Sequence, residues 1–219
     1  MIGGFLLEQN VPFTGLHRVY ASDSVFVCQA VKSKFFLQFI AANKMVTIWR
    51  PDSHEYAVLP YQEWLQKFPH SPSTLTWTSE LTKPLDCSGK YLEHIKYCTY
   101  HFRVDTNTPS FWSSDVGKLE KSHPSNVTLT TACLPVCPQA KTIIERIYGL
   151  PSHEGIPCEA KYIAQPGVTS VALETKLKPV QSNPIILFKV TPAYKKVPFS
   201  LSLLLPHVDE MLNGFMGPK

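Results

Sequence analysis

The sequence predicts an α+β protein that is mostly antiparallel β, a sandwich or partly open barrel with two or three short inserted helices. Most of its apolar segments are short and rich in Val, Ile, Phe, Tyr or Trp, as strands are. Few segments show helical spacing. The strand-like segments follow one another in meanders instead of alternating with helices, which favours antiparallel pairing over βαβ winding.

The composition places the chain among globular proteins. Of its 219 residues, 44% are hydrophobic and 17% are charged, whereas disordered chains combine low hydrophobicity with high charge. The 19 prolines outnumber the 10 glycines. Because proline cannot donate a ladder hydrogen bond, they predict short strands, edge positions and rigid connections. The net charge of +4 permits weak attraction to nucleic acid without demanding it.

The N-terminal residues and the cysteines indicate a reducing compartment. Residues 1–8 lack the basic lead and the long apolar core of a secretory signal. No apolar run approaches the roughly 20 residues that a membrane-spanning helix needs. We therefore expect a protein of the cytosol or nucleus without a membrane span, whose six cysteines are free thiols or metal ligands.

The first third of the chain predicts a meander of strands followed by one helix. Short polar separators divide runs of Val, Phe, Ile and Trp. The predicted strands cover 24–31, 34–40, 44–50 and 54–59. Alternation places Phe35, Leu37 and Phe39 on one face of the second strand. Over 61–68 apolar residues recur at i, i+3, i+4 and i+7, which predicts a helix that begins just after Pro60.

The middle of the chain predicts further strands around one clear helix. That helix covers 138–149, with Pro138 in its first turn and Gly149 at its end. The predicted strands cover 74–81, 91–105, 126–132, 158–164 and 169–177, and 83–89 is a predicted turn. We expect one β-rich domain over 1–219. The alternative is two lobes, 1–105 and 126–219, joined by the Ser/Pro-rich loop 106–125, since structureless loops of that length are uncommon within compact domains.

The tail end of the chain predicts the centre of the fold. Residues 185–190 are apolar at nearly every position, and 197–205 supply a second apolar run before a short predicted helix over 206–212. Continuous apolar runs are typical of strands that are buried on both faces. The rest of the chain is accordingly expected to cover these two strands.

The same tail motivates the leading functional hypothesis. Pro192 and Pro198 bracket the junction between the two predicted strands, and proline in a strand marks an edge. An apolar edge must be covered by the chain itself or by a partner. We therefore expect a non-enzymatic protein–protein interaction or assembly subunit, without a cofactor, that binds another protein or a second copy of itself. The predicted interaction residues are Val197, Phe199, Leu201, Phe215 and Met216.

The sequence lacks the known catalytic motifs that would favour an enzyme. The sequence contains neither a nucleophile elbow nor a glycine-rich phosphate loop. Cys28 lies in the middle of an apolar strand, where a core position is expected instead of a nucleophile. Triads that assemble only in space cannot be read from a sequence, so the eight histidines leave an enzyme as an open alternative.

A single-stranded nucleic-acid-binding module is a second hypothesis. Basic and aromatic residues are mixed over 34–50, and such sheets bind single strands by stacking bases on aromatic rings while lysines follow the backbone. The residues that would act are Lys34, Phe36, Lys44, Trp49 and Arg50. The opposing interpretation is that the aromatic side chains face the core and the lysines form an ordinary solvated rim.

A zinc-dependent protein is a third hypothesis. A C-x3-C pair and an H-x4-C pair flank the helix over 138–149, and zinc is commonly held by two close pairs of ligands. The candidate ligands are Cys133, Cys137, His153 and Cys158. A helix of about eleven residues separates the pairs by about 16 Å, so the following loop would have to return along its full length. The opposing interpretation is that these thiols are small buried hydrophobic groups.

A second set of cysteines and histidines is less suited to zinc. Cys87 and His94 precede Cys98 and His101 with finger-like spacing. If 91–105 is a strand, Cys98 and His101 point to opposite faces, because strand side chains alternate. That orientation excludes a shared metal ion unless the segment is helical or kinked.

Overall fold

The structure is a computed structural model that describes residues 3–11, 15–67, 86–92, 94–103, 126–148, 150, 153–165, 168–185, 187, 189, 191–200 and 203–204. Its described strands are β1 Gly4–Val11, β2 Gly15–Ala21, β3 Val25–Ala30, β4 Phe35–Ile40, β5 Met45–Arg50, β6 Glu55–Pro60, β7 Asp86–Leu92, β8 Ile95–Arg103, β9 Asn126–Cys133, β10 Ile156–Gln165, β11 Val168–Val180 and β12 Lys195–Lys196. Its described helices are α1 Tyr61–Lys67 and α2 Pro138–Tyr148. The predicted class, mostly antiparallel β with a few helices, is confirmed.

The described residues fall into two compact units. The first draws on 1–8, 14–69 and 177–219, and the second on 9–13 and 70–176. Neighbouring strands run in the order β12-β6-β5-β4-β3-β2-β1 in the first unit and β11-β10-β9-β8-β7 in the second. Among the described pairings the β12–β6 pair is parallel, and neither order closes into a ring.

One face of the first unit's sheet is a dry core. Register places Cys28 opposite Leu37 and Leu37 opposite Ile48, and all three side chains are fully buried. Phe35 and Phe39 lie on the same face at 4% and 0% exposure, so the predicted alternation is confirmed. This face belongs to the core because apolar side chains alternate onto it from three adjacent strands.

The opposite face of that sheet is also covered. Val27, Trp49 and Tyr56 form a buried cluster with Ile185, and Tyr194 packs against it. The last two residues come from the irregular segment that follows β11. The described residues of 180–194 therefore cover this face of the sheet, and the strands beneath them are buried on both faces.

The prediction that the tail supplies the central strands is wrong for the described residues. Of residues 185–190, those described are irregular, and 197–200 are irregular as well. The Asn183 side chain accepts the N–H of Ile185 at 2.8 Å, which closes a turn instead of extending a strand. Pro184 and Pro198 lack the N–H that a ladder requires. The predicted helix over 206–212 lies outside the described residues.

The predicted helix after Pro60 is confirmed as α1. Its buried side chains are Tyr61 and Trp64, and the Tyr61 ring lies 5.3 Å from the ring of Phe39, centroid to centroid. Trp64 is fully buried. An ion pair between Glu63 and Lys67 at 2.6 Å lies on its solvent side. The helix therefore packs its aromatic face onto the dry core face.

The second unit's sheet is buried on one face. Cys98, Tyr100 and Phe102 are buried on β8 as predicted. On the other face the hydroxyls of Thr99 and Thr130 lie 3.2 Å apart. Helix α2, predicted over 138–149, is confirmed, and its apolar residues are buried. One polar face and one packed face are typical of antiparallel sheets.

Two predictions for the second unit need correction. The predicted strand over 91–105 is interrupted, because β7 and β8 form a hairpin with His94 at φ 67° in its turn. The predicted turn over 83–89 overlaps the start of β7. The left-handed conformation of His94 marks the turn between β7 and β8, since non-glycine residues adopt that conformation mainly in turns. The predicted strand 74–81 and loop 106–125 lie outside the described residues, and the division into lobes stays a prediction.

Strand β1 was not predicted, and its end carries a buried polar side chain. Gln9 is fully buried. Its amide nitrogen donates to the Pro157 carbonyl at 3.2 Å and to the Thr175 hydroxyl at 3.3 Å, and its oxygen accepts the Tyr148 hydroxyl at 2.9 Å. A buried amide with such partners carries little desolvation penalty. These bonds link β1, α2, β10 and β11 within the second unit.

Candidate functional site

An open surface groove lies beside β6 in the first unit. Its volume is about 420 Å³. The end of β6, helix α1 and residues 196–199 line it. The apolar lining residues are Val58, Leu59, Val197, Pro198 and Phe199. We call this feature the β6 groove.

The β6 groove forms where the pairing of β12 with β6 stops. The N–H of Lys195 donates to the carbonyl of His54 at 2.8 Å, and the N–H of Val197 donates to that of Tyr56 at 2.9 Å. Pro198 follows and has no N–H to donate. The described pairing is therefore two residues long, and the next apolar side chains line an open surface instead of a ladder.

The rim of the β6 groove is charged. Glu63, Lys67 and Lys196 line it. The Glu63 carboxylate pairs with the Lys67 ammonium at 2.6 Å, whereas Lys196 and the neighbouring Lys195 are exposed. The rim is therefore net positive, as is the whole chain. Such a field favours the approach of an acidic partner.

The structure places part of the predicted interaction surface in this groove. Val197 and Phe199 line it and are half-buried. Leu201, Phe215 and Met216 lie outside the described residues. Sequence reasoning missed Val58 and Leu59. The signal for them was Pro60, which marks β6 as a strand that lies near an edge.

The aromatic residues of the nucleic-acid hypothesis pack against each other. The rings of Phe36 and Trp49 stack with centroids 4.9 Å apart, and the two residues are opposite one another in register. Trp49 is 5% exposed and belongs to the cluster beneath 180–194, whereas Phe36 is half-buried. Phe36 is thus the more accessible of the two rings.

The basic residues of that hypothesis differ in their surroundings. Lys34 and Lys44 are exposed in turns, at φ 54° and 53°. Arg50 is 7% exposed, and its guanidinium donates to both carboxylate oxygens of Asp52 at 3.0 and 2.7 Å. The hydrogen bond from Arg50 lowers the pKa of Asp52. A buried arginine held by a bidentate partner is poorly placed to contact a phosphate.

The candidate zinc ligands lie in different surroundings. Cys137 is buried beside the start of α2, and Cys158 is buried with its thiol donating to the Ile156 carbonyl at 3.4 Å. Burial raises the pKa of Cys158 to about 12. The His153 ring stacks on Tyr100 and Phe102 with centroids 4.8 and 4.9 Å away. Burial, and then the charge of Lys141, lowers the pKa of His153.

Cys133 belongs to a different group of possible ligands. The thiols of Cys98 and Cys133 and a carboxylate oxygen of Glu154 all lie within 4.8 Å of one another. Among the described residues this is the group that brings three metal-binding side chains together. We call it the thiol–carboxylate cluster. Of the four predicted ligands it contains Cys133.

Neighbouring bonds position Glu154 in the cluster. The Thr131 hydroxyl donates to the Glu154 carbonyl at 2.5 Å. The N–H of His153, one residue earlier, donates to the buried carboxylate of Glu145 at 3.3 Å. Gly155 then turns the chain at φ 86°, where a Cβ would lie 2.8 Å from the Ala132 carbonyl oxygen. Glycine is needed there because another residue would be strained and would clash.

Electrostatic interactions couple the cluster to Lys96. Burial, then the charges of Cys98 and Glu154, raise the pKa of the Cys133 thiol. The charges of Cys98, Glu154 and Cys133 raise the pKa of Lys96. The Lys96 ammonium lies 3.8 Å from a carboxylate oxygen of Glu154. The site therefore concentrates negative charge when its thiols ionise, with one cation beside it.

Sequence reasoning missed this cluster because its members are far apart in the chain. Cys98 was considered with His101, and strand alternation does separate those two, since Cys98 is 3% exposed and His101 is exposed. The register of β8 against β9 brings Cys98 near Cys133. The periodicity of a single strand cannot supply that register.

Comparisons with known proteins leave the function to this geometry. The chain matches no protein-family model and no curated protein sequence. Within the described part of the chain, no helix combines the length and the apolar character needed to cross a membrane. Within the described residues, the β6 groove is a feature that could bind a partner, and the thiol–carboxylate cluster is one that could bind a metal ion.

Proposed function

We propose that the protein is a non-enzymatic interaction or assembly subunit that binds a partner protein through the β6 groove. The observation that carries the proposal is that an open apolar lining, which includes Val197 and Phe199, lies beside β6. The described pairing of β6 with β12 is only two residues long. We propose a cytosolic or nuclear location. We also propose that the fold is a sandwich or partly open barrel and that it contains a third helix.

The groove suits one apolar anchor side chain. The volume of the groove, about 420 Å³, exceeds that of a single large side chain. The backbone of β6 beside it is extended. Binding hot spots are commonly aromatic or aliphatic anchors in such depressions, surrounded by a polar rim. The rim here consists of Glu63, Lys67 and Lys196. We therefore propose that the partner inserts an apolar side chain flanked by acidic residues.

Charge favours a different protein over a second copy of this chain. The chain carries a net charge of +4, and Lys195 and Lys196 are exposed beside the groove. A two-fold dimer through this surface would place the same lysines against each other, because such interfaces are self-complementary. Like charges that face one another across an interface disfavour the complex. An acidic partner removes that penalty.

Isolation of the tagged full-length protein from the cells that make it, followed by native mass spectrometry, tests the proposal. We expect a second polypeptide in fixed stoichiometry, which Phe199→Asp removes because it places a charge in the apolar lining. The matched control is Val31→Asp, since Val31 is 45% exposed in a turn elsewhere in the same unit. Thermal melting of both variants checks that they remain folded.

Three outcomes of that experiment would overturn the proposal. They are a wild-type monomer that carries no partner, a partner that folded Phe199→Asp retains, and a complex that contains only copies of this chain. A further expectation is that the complex weakens as salt rises, because the rim lysines are exposed.

Nucleic-acid binding is less well supported as the function of the same unit. Trp49 and Arg50 are buried, so Lys34, Phe36 and Lys44 would have to carry it. Single-strand binding by lysines should fall steeply with salt. Undetectable binding to a mixed-sequence single strand at low salt would remove this alternative.

A further inference from the structure

The thiol–carboxylate cluster has the donor set of a metal site. Two cysteine thiolates and one carboxylate are ligands that zinc accepts in proteins. We propose that Cys98, Cys133 and Glu154 bind one divalent zinc-class cation. This site is separate from the β6 groove, and it differs from the set of ligands that sequence spacing predicts.

The distances between the donor atoms fit such an ion. Zinc–sulfur bonds of about 2.3 Å and zinc–oxygen bonds of about 2.0–2.2 Å place tetrahedral ligands roughly 3.5–3.8 Å from one another. The three donor atoms lie within 4.8 Å of one another. Small side-chain movements therefore close the site. Glu154 can supply most of that movement because its side chain is 66% exposed.

Strand register presents both thiols on the same face. Cys98 lies opposite Thr131, and Cys133 lies opposite Lys96. Cys98 and Cys133 are therefore diagonal neighbours on adjacent antiparallel strands. Glu154 joins them from the loop before β10, where Thr131 and Gly155 fix its backbone. Three separate elements of the second unit thus supply one ligand each.

The same register disfavours a disulfide as the role of these thiols. Diagonal neighbours in an antiparallel pair have Cα atoms about 7–8 Å apart. A disulfide usually needs a Cα separation of about 4.4–6.8 Å, so the backbone would have to move. A metal ion spans the longer distance without such a movement. The carboxylate of Glu154 beside both thiols has no role in a disulfide, but it serves as the third ligand.

Charge balance supports a divalent ion. Two thiolates and one carboxylate carry three negative charges, so a bound divalent ion leaves one. The Lys96 ammonium, 3.8 Å from Glu154, neutralises the remaining charge. Three protein ligands leave one tetrahedral position, which a water molecule fills. Because both thiols must lose their protons on binding, the affinity should fall as pH falls.

Zinc titration of the reduced full-length protein, followed by native mass spectrometry, tests the site. We expect one zinc ion per chain. Glu154→Gln should weaken zinc binding at least tenfold, and Cys133→Ser should abolish stoichiometric binding. Glu154 is exposed, so its variant should remain folded even where substitution of the buried Cys98 does not. Cobalt in place of zinc should give thiolate-to-metal absorption that Cys133→Ser reduces.

Controls distinguish this site from the other thiols. Cys137→Ser and His153→Gln should leave the stoichiometry at one, because neither residue belongs to the cluster. Absence of stoichiometric zinc in the reduced wild-type protein would overturn the proposal. So would unchanged affinity in folded Glu154→Gln, or loss of zinc in the two control variants.

Discussion

The sheets of the two units differ in how many of their faces are dry. In the first unit β4 is buried or half-buried at all its positions, and the neighbouring β5 is even more enclosed. In the second unit Val127 and Leu129 of β9 are buried, whereas Thr128 and Thr130, which alternate with them, are half-exposed. The first sheet has a core on one side and described residues of 180–194, Ile185 among them, on the other. The second has one packed face and one face lined by threonine and histidine.

The comparison shows that apolar content alone does not distinguish a strand that is buried on both faces from the segment that covers it. Residues 35–40 and 185–190 are both almost continuously apolar. The first run is far from any proline, whereas the second lies between Pro184 and Pro192. Proline has no N–H to donate to a ladder at either flank of the second run, and the residues of that run that the structure describes, 185, 187 and 189, are irregular.

The largest expected effect comes from the dry core of the first unit. Phe39 is fully buried on β4. Phe39→Ala should lower the free energy of unfolding by about 3–5 kcal/mol, because it removes a buried ring and leaves a cavity. Urea denaturation followed by tryptophan fluorescence measures the loss. A loss below about 1 kcal/mol would show that this face is not a packed core.

A pH effect of similar size is expected from His17 on the same face. Burial lowers its pKa from 6.5 to about 4. As pH falls below 6.5, His17 binds a proton in the unfolded chain but does not do so in the folded chain until about pH 4. Stability is therefore lost across that pH range. At pH 4 the loss should be on the order of 3 kcal/mol. His17→Gln should abolish this component, and wild-type and variant stabilities that stay parallel from pH 7 to 4 would contradict it.

A smaller effect tests the segment that covers the other face. Ile185 is 7% exposed in the cluster with Trp49, whereas Leu187 is 39% exposed. Ile185→Ala should cost about 2 kcal/mol of unfolding free energy. Leu187→Ala, the matched control, should change it by no more than about 0.5 kcal/mol. Equal losses for the two variants in urea denaturation would show that 180–194 does not cover the sheet.

The smallest effect is expected on the polar face of the second unit. Thr130→Val removes a half-exposed hydroxyl that lies 3.2 Å from that of Thr99. Water can replace that contact, so we expect a change within about 1 kcal/mol. Leu129→Ala, one residue earlier on the packed face, should cost about 2–5 kcal/mol. A comparable loss for Thr130→Val in the same denaturation experiment would mean that this face is also dry.

Local periodicity predicted much of the fold. The meander over 24–59, the helix after Pro60 and helix α2 follow from alternation, helical spacing and proline placement. Strand β1 was missed because its alternation includes buried Gln9, a polar residue whose hydrogen bonds come from residues far away in the chain. The break between β7 and β8 was missed because His94 adopts a left-handed conformation that no turn residue announced.

The candidate sites were less predictable. Val197 and Phe199 were found because proline marks edges, whereas the wall opposite them depends on how β6 and α1 pack. The thiol–carboxylate cluster depends on strand register and on a hydrogen bond from Thr131 to the Glu154 backbone. Register depends on contacts between strands that are distant in the chain. One residue of slip would move Cys98 to the opposite face.

The central claim is that the β6 groove binds another protein, and photocrosslinking tests it most directly. A benzophenone amino acid in place of Phe199, introduced in the cells that make the protein, reports what lies in the groove. The same group in place of exposed Leu187 is the control. We predict a crosslink from position 199 to one different polypeptide, absent from position 187. Equal crosslinking at both positions, or none at position 199, would contradict the proposal.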